Sequence, residues 1–370
     1  MDKSRISASR TSAATLALTA VIALLPPSQA FAQSGLDAVE KAAAKLAPQG
    51  WTLPRTPDGA PDLQGIYTNV SLTPLQRPKE LAGKAFFTPA EAVAWKKQRL
   101  IQSNKDRRDG GAVADLTRAY NDVFWDSGSD VSPTLQTSLI VDPPDGRMPP
   151  LTAMEMKKMA DEMATIKEKC ADPTRACPLT NSGQPWPADG PEDRPAMERC
   201  IVWPTAGPPM MPSAYDSNYQ IAQTKNSVMI FVEAIHDVRV IPLDGRPHLP
   251  SNVRQMLGDP RGHWEGDTLV VDTTNFNDTP AFYNADRNLH VVERFKKVSP
   301  SVLLYSFTVD DPTVFTRPFT GAIAMTAIKG PLFEYACNEG NYGMQGILKG
   351  ARVDEKKRAE QKNITESKTK

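Results

Sequence analysis

The sequence predicts a mainly β protein: an antiparallel β-barrel or curved sandwich with two or three peripheral helices and long Pro-rich loops. Three observations carry this prediction. Residues 200–350 contain short runs rich in Val, Ile, Leu, Phe and Thr, separated by turn signals and without the helical pattern of about 10–15 residues that a parallel sheet needs between strands. Two capping-box sequences outside that stretch mark the starts of helices. Finally, 33 of the 370 residues are proline. Proline is excluded from helix interiors and central strands, so much of the chain must be ordered loop.

Residues 1–32 read as an export signal. Lys3, Arg5 and Arg10 precede an apolar run from Ala13 to Leu25, and Ala30-Phe31-Ala32 is an A-x-A site with cleavage expected before Gln33. The run is too short to cross about 30 Å of hydrocarbon, which takes about 20 residues, and no later stretch is longer. The expectation is a soluble periplasmic or secreted protein with no membrane span.

Residues 33–199 form a Pro-rich N-terminal region. A short Ala-rich helix is expected over Leu36–Leu46. Thr88-Pro89-Ala90-Glu91 starts a helix over about 89–104, and Thr152-Ala153-Met154-Glu155 starts another over about 153–169. In the second, Met156, Met159, Ala160 and Met163 fall on one stripe. A core-facing stripe is the expectation; the alternative is an adaptable pocket wall.

From 200 to 350 the expected strands are 220–224, 228–234, 238–242, 268–273, 289–295, 303–309 and 322–328, joined mostly as hairpins. V-D-P-P-D-G-R-M-P-P-L at 141–151 echoes V-I-P-L-D-G-R-P-H-L at 240–249, which suits a common hairpin unit. Asp-Gly is a tight-turn signal, so the echo reads as shared turn chemistry. Residues 351–370 are charged and poor in large apolar side chains, which predicts a disordered tail.

Charge and cysteines narrow the class further. The chain has 43 basic and 43 acidic residues. Removing the signal takes away Lys3, Arg5, Arg10 and Asp2 and leaves a net charge of −2. Such a balance gives no electrostatic footprint for nucleic acid. Four cysteines in an oxidising compartment favour disulfides. Of the three possible pairings, Cys170–Cys177 and Cys200–Cys337 suit the predicted elements best, the second closing most of the β-rich half, worth roughly 4–5 kcal/mol in the chain-entropy model.

All four histidines, His236, His248, His263 and His290, lie in one window of the β-rich half. Strand alternation over 228–240 puts His236 on an apolar face with Val228, Ile230, Val232, Ala234 and Val238, where desolvation favours a neutral imidazole usable as a base. Alternation over 289–295 puts Glu293 on a face with Leu289, Val291 and Phe295, and His290 on the other with Val292 and Arg294. His236, Glu293 and His290 are therefore the catalytic candidates, for acid–base work in a barrel interior. The alternative is a satisfied core, with Glu293 bonded to Arg239 or Arg317. Trp264, Tyr335 and Tyr342, with Asn338, Glu339 and Arg239, are candidate ligand contacts; the alternative is that the aromatics plug a barrel end while the neighbouring glycines turn hairpins. No H-x-H or H-E-x-x-H spacing, G-x-S-x-G elbow or Gly-rich phosphate loop occurs, so neither a metal nor an organic cofactor is expected.

Several long motifs carry a resemblance: D-P-P-D-G-R, E-D-R-P-A-M-E-R-C, H-D-V-R-V-I-P-L-D-G-R-P-H-L-P, G-D-T-L-V-V-D-T-T-N-F, L-H-V-V-E-R-F and Y-A-C-N-E-G-N-Y-G. Together these span about residues 51–353 and resemble a large family of exported, mostly uncharacterised bacterial proteins, which implies no particular reaction. G-I-Y at 65–67 is similar to the G-x-W start of lipocalin-like barrels, with Tyr67 in place of Trp. The expected function is an exported enzyme of small-molecule breakdown (a lyase, isomerase or hydrolase). The alternative is a non-catalytic carrier of an apolar or aromatic small molecule.

Overall fold

The computed structural model describes residues 27–104, 111–112, 126, 128–180, 182–279 and 282–368, with side chains from Gly35 onward. The basic and apolar parts of the expected export signal lie outside these residues. Ten strands form a nearly closed antiparallel sheet, nine of them in one continuous order, and four α-helices are described.

The strands are β1 (Gly65–Thr68), β2 (Ile140–Asp142), β3 (Asn218–Gln223), β4 (Ser227–Val232), β5 (Val238–Pro242), β6 (Asp259–Glu265), β7 (Thr268–Thr274), β8 (His290–Ser299), β9 (Val302–Asp310) and β10 (Phe319–Ala327). Their order around the sheet is β5-β4-β3-β1-β10-β9-β8-β7-β6, with β2 pairing beside β1 on the same edge of β10. Thus the N-terminal region, expected to supply only helices and loops, places two strands in the sheet. β1 begins at the G-I-Y sequence, and Tyr67 fills the interior, its hydroxyl donating to the Leu63 carbonyl at 3.1 Å.

β6 was not among the expected strands, because Pro260 and Gly262 read as strand breakers. The sheet needs Gly262 there. A Cβ at Gly262 would lie 2.6 Å from Leu243 and 2.7 Å from Ile241, so a bare backbone at this position lets the two ends of the sheet, β5 and β6, come together.

The interior is filled by side chains. Tyr67, Tyr219, Tyr305, Phe295 and Phe307 are all buried in one apolar cluster. A turn runs from Glu233 to Asp237 between β4 and β5, and across it the inward parity changes. Val228, Ile230 and Val232 point inward, and then Arg239 and Ile241 do, while Val238 and Val240 are exposed.

Helix α1 (Pro27–Ala44) covers the outer face of the sheet. Its Val39 and Ala43 pack on Leu304, Ala322 and Ala324. The expected helix at 36–46 lies mostly within it. Helix α2 (Pro89–Ser103) has the complete capping box, with Thr88 accepting from the Glu91 amide, and buries Ala92 and Trp95.

Helix α3 (Ala153–Ala171) is capped by Thr152, but Glu155 does not complete a box. Its carboxylate is buried and accepts from Asn284 Nδ2 at 2.8 Å, fastening the helix to the segment between β7 and β8. The methionine stripe faces outward, not into the core: Met156, Met159 and Met163 are all exposed. The charged C-terminal stretch is also helical, as α4 (Tyr342–Lys368), correcting the expectation of a disordered tail. Ile347, Leu348 and Ala351 pack against Ala176 and Ala188, while Arg352 donates to the Ala188 and Asp189 carbonyls.

Both expected disulfides are present, Cys170–Cys177 and Cys200–Cys337, each with Cα atoms 5.7 Å apart. Among the described residues no helix is long and apolar enough to cross a membrane. The two Asp-Gly echoes share a left-handed glycine, Gly146 and Gly245, each with φ of 72°.

Candidate functional site

Two histidines meet two acids on the outer face of β6–β8. Alternation turns Asp272 of β7 and His290 of β8 outward on adjacent strands. The loop after β5 brings His248 over them. That loop turns at Asp244-Gly245 and is pinned at several points. Asp259 of β6 accepts from the Leu249 amide at 2.8 Å, Arg261 Nε donates to the Pro247 carbonyl at 2.9 Å, and Asn275 Nδ2 donates to the Leu249 carbonyl at 2.8 Å.

The result is one hydrogen-bonded chain. Arg261 Nη1 donates to Asp259 Oδ1 at 2.6 Å, and His248 Nδ1 lies 3.2 Å from Asp259 Oδ2. His248 Nε2 lies 3.1 Å from Asp272 Oδ1, and His290 Nε2 lies 3.1 Å from Asp272 Oδ2. A neutral imidazole has one N–H and can donate to only one of two carboxylates; the imidazolium form of His248 donates to both. Asp259 is 4% exposed, whereas His290 and Asp272 are each 40% exposed. The chain therefore runs from a buried anchor to an accessible imidazole.

Electrostatics follow the bonding. The hydrogen bond to Asp272 raises the His290 pKa, against the opposing effect of burial, with Asp272 and Asp310 adding attraction. The Asp272 pKa is lowered, first by the hydrogen bond from His290 and then, against burial, by the charges of His290 and His248. Because a carboxylate only accepts, the neutral form of His290 carries its proton on Nε2 and keeps its lone pair on Nδ1. Nδ1 makes no hydrogen bond among the described residues.

The expected interior site is arranged differently. Glu293 is inward and fully buried, as the alternation indicated, but both its oxygens are occupied. Arg239 Nη1 donates to Oε1 at 2.9 Å and Nη2 to Oε2, and the Tyr305 hydroxyl donates to Oε1 at 2.9 Å. This is the satisfied-core alternative, with Arg239 the partner, so Arg239 is a buried ion-pair member and not an accessible ligand contact. Burial lowers the Arg239 pKa, but the facing carboxylate outweighs it and the net direction is upward.

His236 is not on a strand. The chain leaves β4 after Val232, and Ile235 (φ 51°) and His236 (φ 60°) adopt left-handed conformations in the turn. Its Nε2 is buried without a hydrogen bond, 3.9 Å from Glu334 Oε1. His263 pairs with Glu265 at 3.2 Å on the surface.

The aromatic candidates are dispersed among different environments. Trp264 sits on β6 opposite Leu269, half-buried. Tyr335 packs its ring on Trp203, with centroids 6.0 Å apart. Tyr342 is 76% exposed at the start of α4, and Asn338 and Glu339 are exposed in the preceding loop.

Sequence reading singled out His290 but missed Asp272, Asp259 and the role of His248. One signal was present: an outward Asp in T-L-V-V-D-T-T and an outward His on the next strand. The fold and this cluster define an antiparallel barrel carrying a His–Asp–His chain on its outer face. No family model, curated protein or solved structure matches the chain.

Proposed function

We propose that this is an exported enzyme of small-molecule breakdown that works by proton transfer, with His290 as the general base and Asp272 as the group that fixes its tautomer. The observation that carries this reading is the unbonded Nδ1 of a 40% exposed histidine whose Nε2 is held by a carboxylate, itself anchored through His248 to buried Asp259. An imidazole so oriented takes a proton from a bound molecule at Nδ1, and the carboxylate steadies the resulting imidazolium. His290 can return that proton to a leaving group, which suits a lyase, isomerase or hydrolase. The basic–apolar–small pattern of residues 1–32 supports export, as does the use of all four cysteines in disulfides. The resemblance to exported bacterial proteins agrees with that reading.

The site is on the outer face and not in the lumen. A carrier holding its ligand inside the barrel draws no support from an interior occupied by Tyr67, Tyr219, Tyr305, Phe295 and Phe307.

The test is to incubate purified protein with phenolic, glycosidic and steroid-like compounds and detect products by mass spectrometry. Turnover by the wild type that falls about 10²-fold or more in His290→Gln, the scale of losing a general base, supports the reading. Turnover that His290→Gln leaves intact sinks it.

A further inference from the structure

We propose that the groove between α3 and α4 is a binding site for a hydrophobic carboxylate, such as a medium-chain fatty acid. The groove is open to solvent and has a volume of about 740 Å³, within the range of about 300–1,000 Å³ typical of small-molecule clefts. Its apolar wall comes from α3, where Met163, Ala164 and Ile166 line it beside the Cys170–Cys177 bridge. Methionine is the unbranched, polarisable side chain that adapts to ligands of different shape. Of the stripe, Ala160 and Met163 line the groove, while Met156 and Met159 lie outside it.

Charge identifies the occupant. Three cations line the groove, Lys167, Arg175 and Arg358, and no carboxylate does. Arg175 is held by Asp189 at 3.0 Å. Lys167 and Arg358 have no ion-pair partner among the described residues and are exposed at the groove's edge. An apolar floor with uncompensated cations at its rim matches a molecule that has a hydrocarbon body and an anionic head.

The site is built, not an accident of two loose helices. Arg352 of α4 donates to the Ala188 and Asp189 carbonyls at 2.8 and 2.9 Å, and the Ala176 amide donates to Glu355 Oε1 at 3.4 Å. These contacts fix α4 against Ala176, within the loop that the Cys170–Cys177 disulfide closes, and against Ala188 and Asp189 beyond it. The site shares no residue with the His290 cluster, so it stands or falls independently of the proposed catalysis.

Calorimetric titration of the exported protein with decanoate, against decyltrimethylammonium of the same chain length, tests the proposal. The expected result is saturable one-to-one binding of decanoate and much weaker binding of the cation. Lys167→Glu with Arg358→Glu should weaken decanoate by about tenfold or more, the scale of losing a hydrogen bond between charged groups. Met163→Glu should weaken it independently. If the charge-reversed protein melts much lower, Lys167→Gln with Arg358→Gln gives the same comparison with less perturbation. No saturable binding, equal affinity for both amphiphiles, or affinity unchanged by these variants overturns the proposal. So does a dimer in sedimentation that decanoate fails to dissociate, because a second copy would then fill the groove.

Discussion

A single hydrogen bond between Asp272 and His290 shifts both groups in the direction that favours charge, lowering the carboxyl pKa and raising the imidazole pKa. Replacing Asp272 with Asn keeps the shape and removes the charge. The expected result is a His290 pKa that falls back towards its ordinary value, and turnover reduced by about 10²-fold or more. The same logic separates the histidines. His290→Gln should cost activity, while Glu293→Gln should act on stability, because the Glu293 carboxylate faces Arg239 and Tyr305 and not a ligand. Removing one member of a buried pair strands the other. Glu293→Ala should therefore destabilise by about 3–5 kcal/mol, and the double replacement Arg239→Met with Glu293→Leu should recover most of that loss. Urea unfolding of the three variants checks this; a double variant as unstable as the single one contradicts it. At this scale the inward direction of Glu293 was legible from alternation, and Arg239 was one of the two partners, with Arg317, that the satisfied-core alternative named. His236 was not, because alternation assumes an unbroken strand and the chain turns through left-handed Ile235 and His236.

The strands show which sequence signals survive tertiary context. β3–β5 and β7–β10 were legible from Val, Ile, Leu and Phe runs with turn residues between them. β6 was hidden because Pro260 and Gly262 weaken any strand reading, and the reason for Gly262 is non-local: Ile241 and Leu243 come too close for a Cβ. Gly262→Val should overpack this seam and cost about 1–3 kcal/mol, and Leu243→Ala should restore part of it. Thermal unfolding of the single and double variants reads this directly, and additive destabilisation would refute the seam. The helices divide in the same way. Capping boxes gave α2 and α3 their starts within a residue, whereas α4 has few apolar residues, and anchors such as Arg352 that hold it against 171–190 cannot be seen in its own sequence. The methionine spacing identified a stripe but not its direction, because periodicity does not say whether another element covers it.

On the scale of the molecule, disulfide and surface charge set how stability responds to conditions. Cys200–Cys337 ties the segment before β3 to the segment after β10, closing a loop of 137 residues. Its loss through Cys200→Ala with Cys337→Ala should cost about 2–5 kcal/mol, read by denaturant unfolding. The Asp272–His290 pair adds a pH dependence with a definite sign. His290 has a raised folded pKa, so its contribution is complete below its unfolded value of about 6.5 and fades as pH rises through the raised value. Asp272 has a lowered folded pKa, so its contribution is complete above about 3.9 and fades as pH falls through the lowered value. The pair therefore stabilises most between about pH 4 and 6.5, modestly, since both side chains are 40% exposed. The melting-temperature difference between wild type and Asp272→Asn should peak in that window.

The most direct test of the His248–Asp272–His290 chain needs no substrate. Long-range proton–nitrogen NMR of nitrogen-15 histidine-labelled protein, followed across pH, reports the tautomer and titration midpoint of each imidazole. The chain predicts His290 protonated on Nε2 in its neutral form, with a midpoint above the ordinary histidine value that drops in Asp272→Asn. A His290 protonated on Nδ1, or one whose midpoint is ordinary and indifferent to Asp272→Asn, would contradict it.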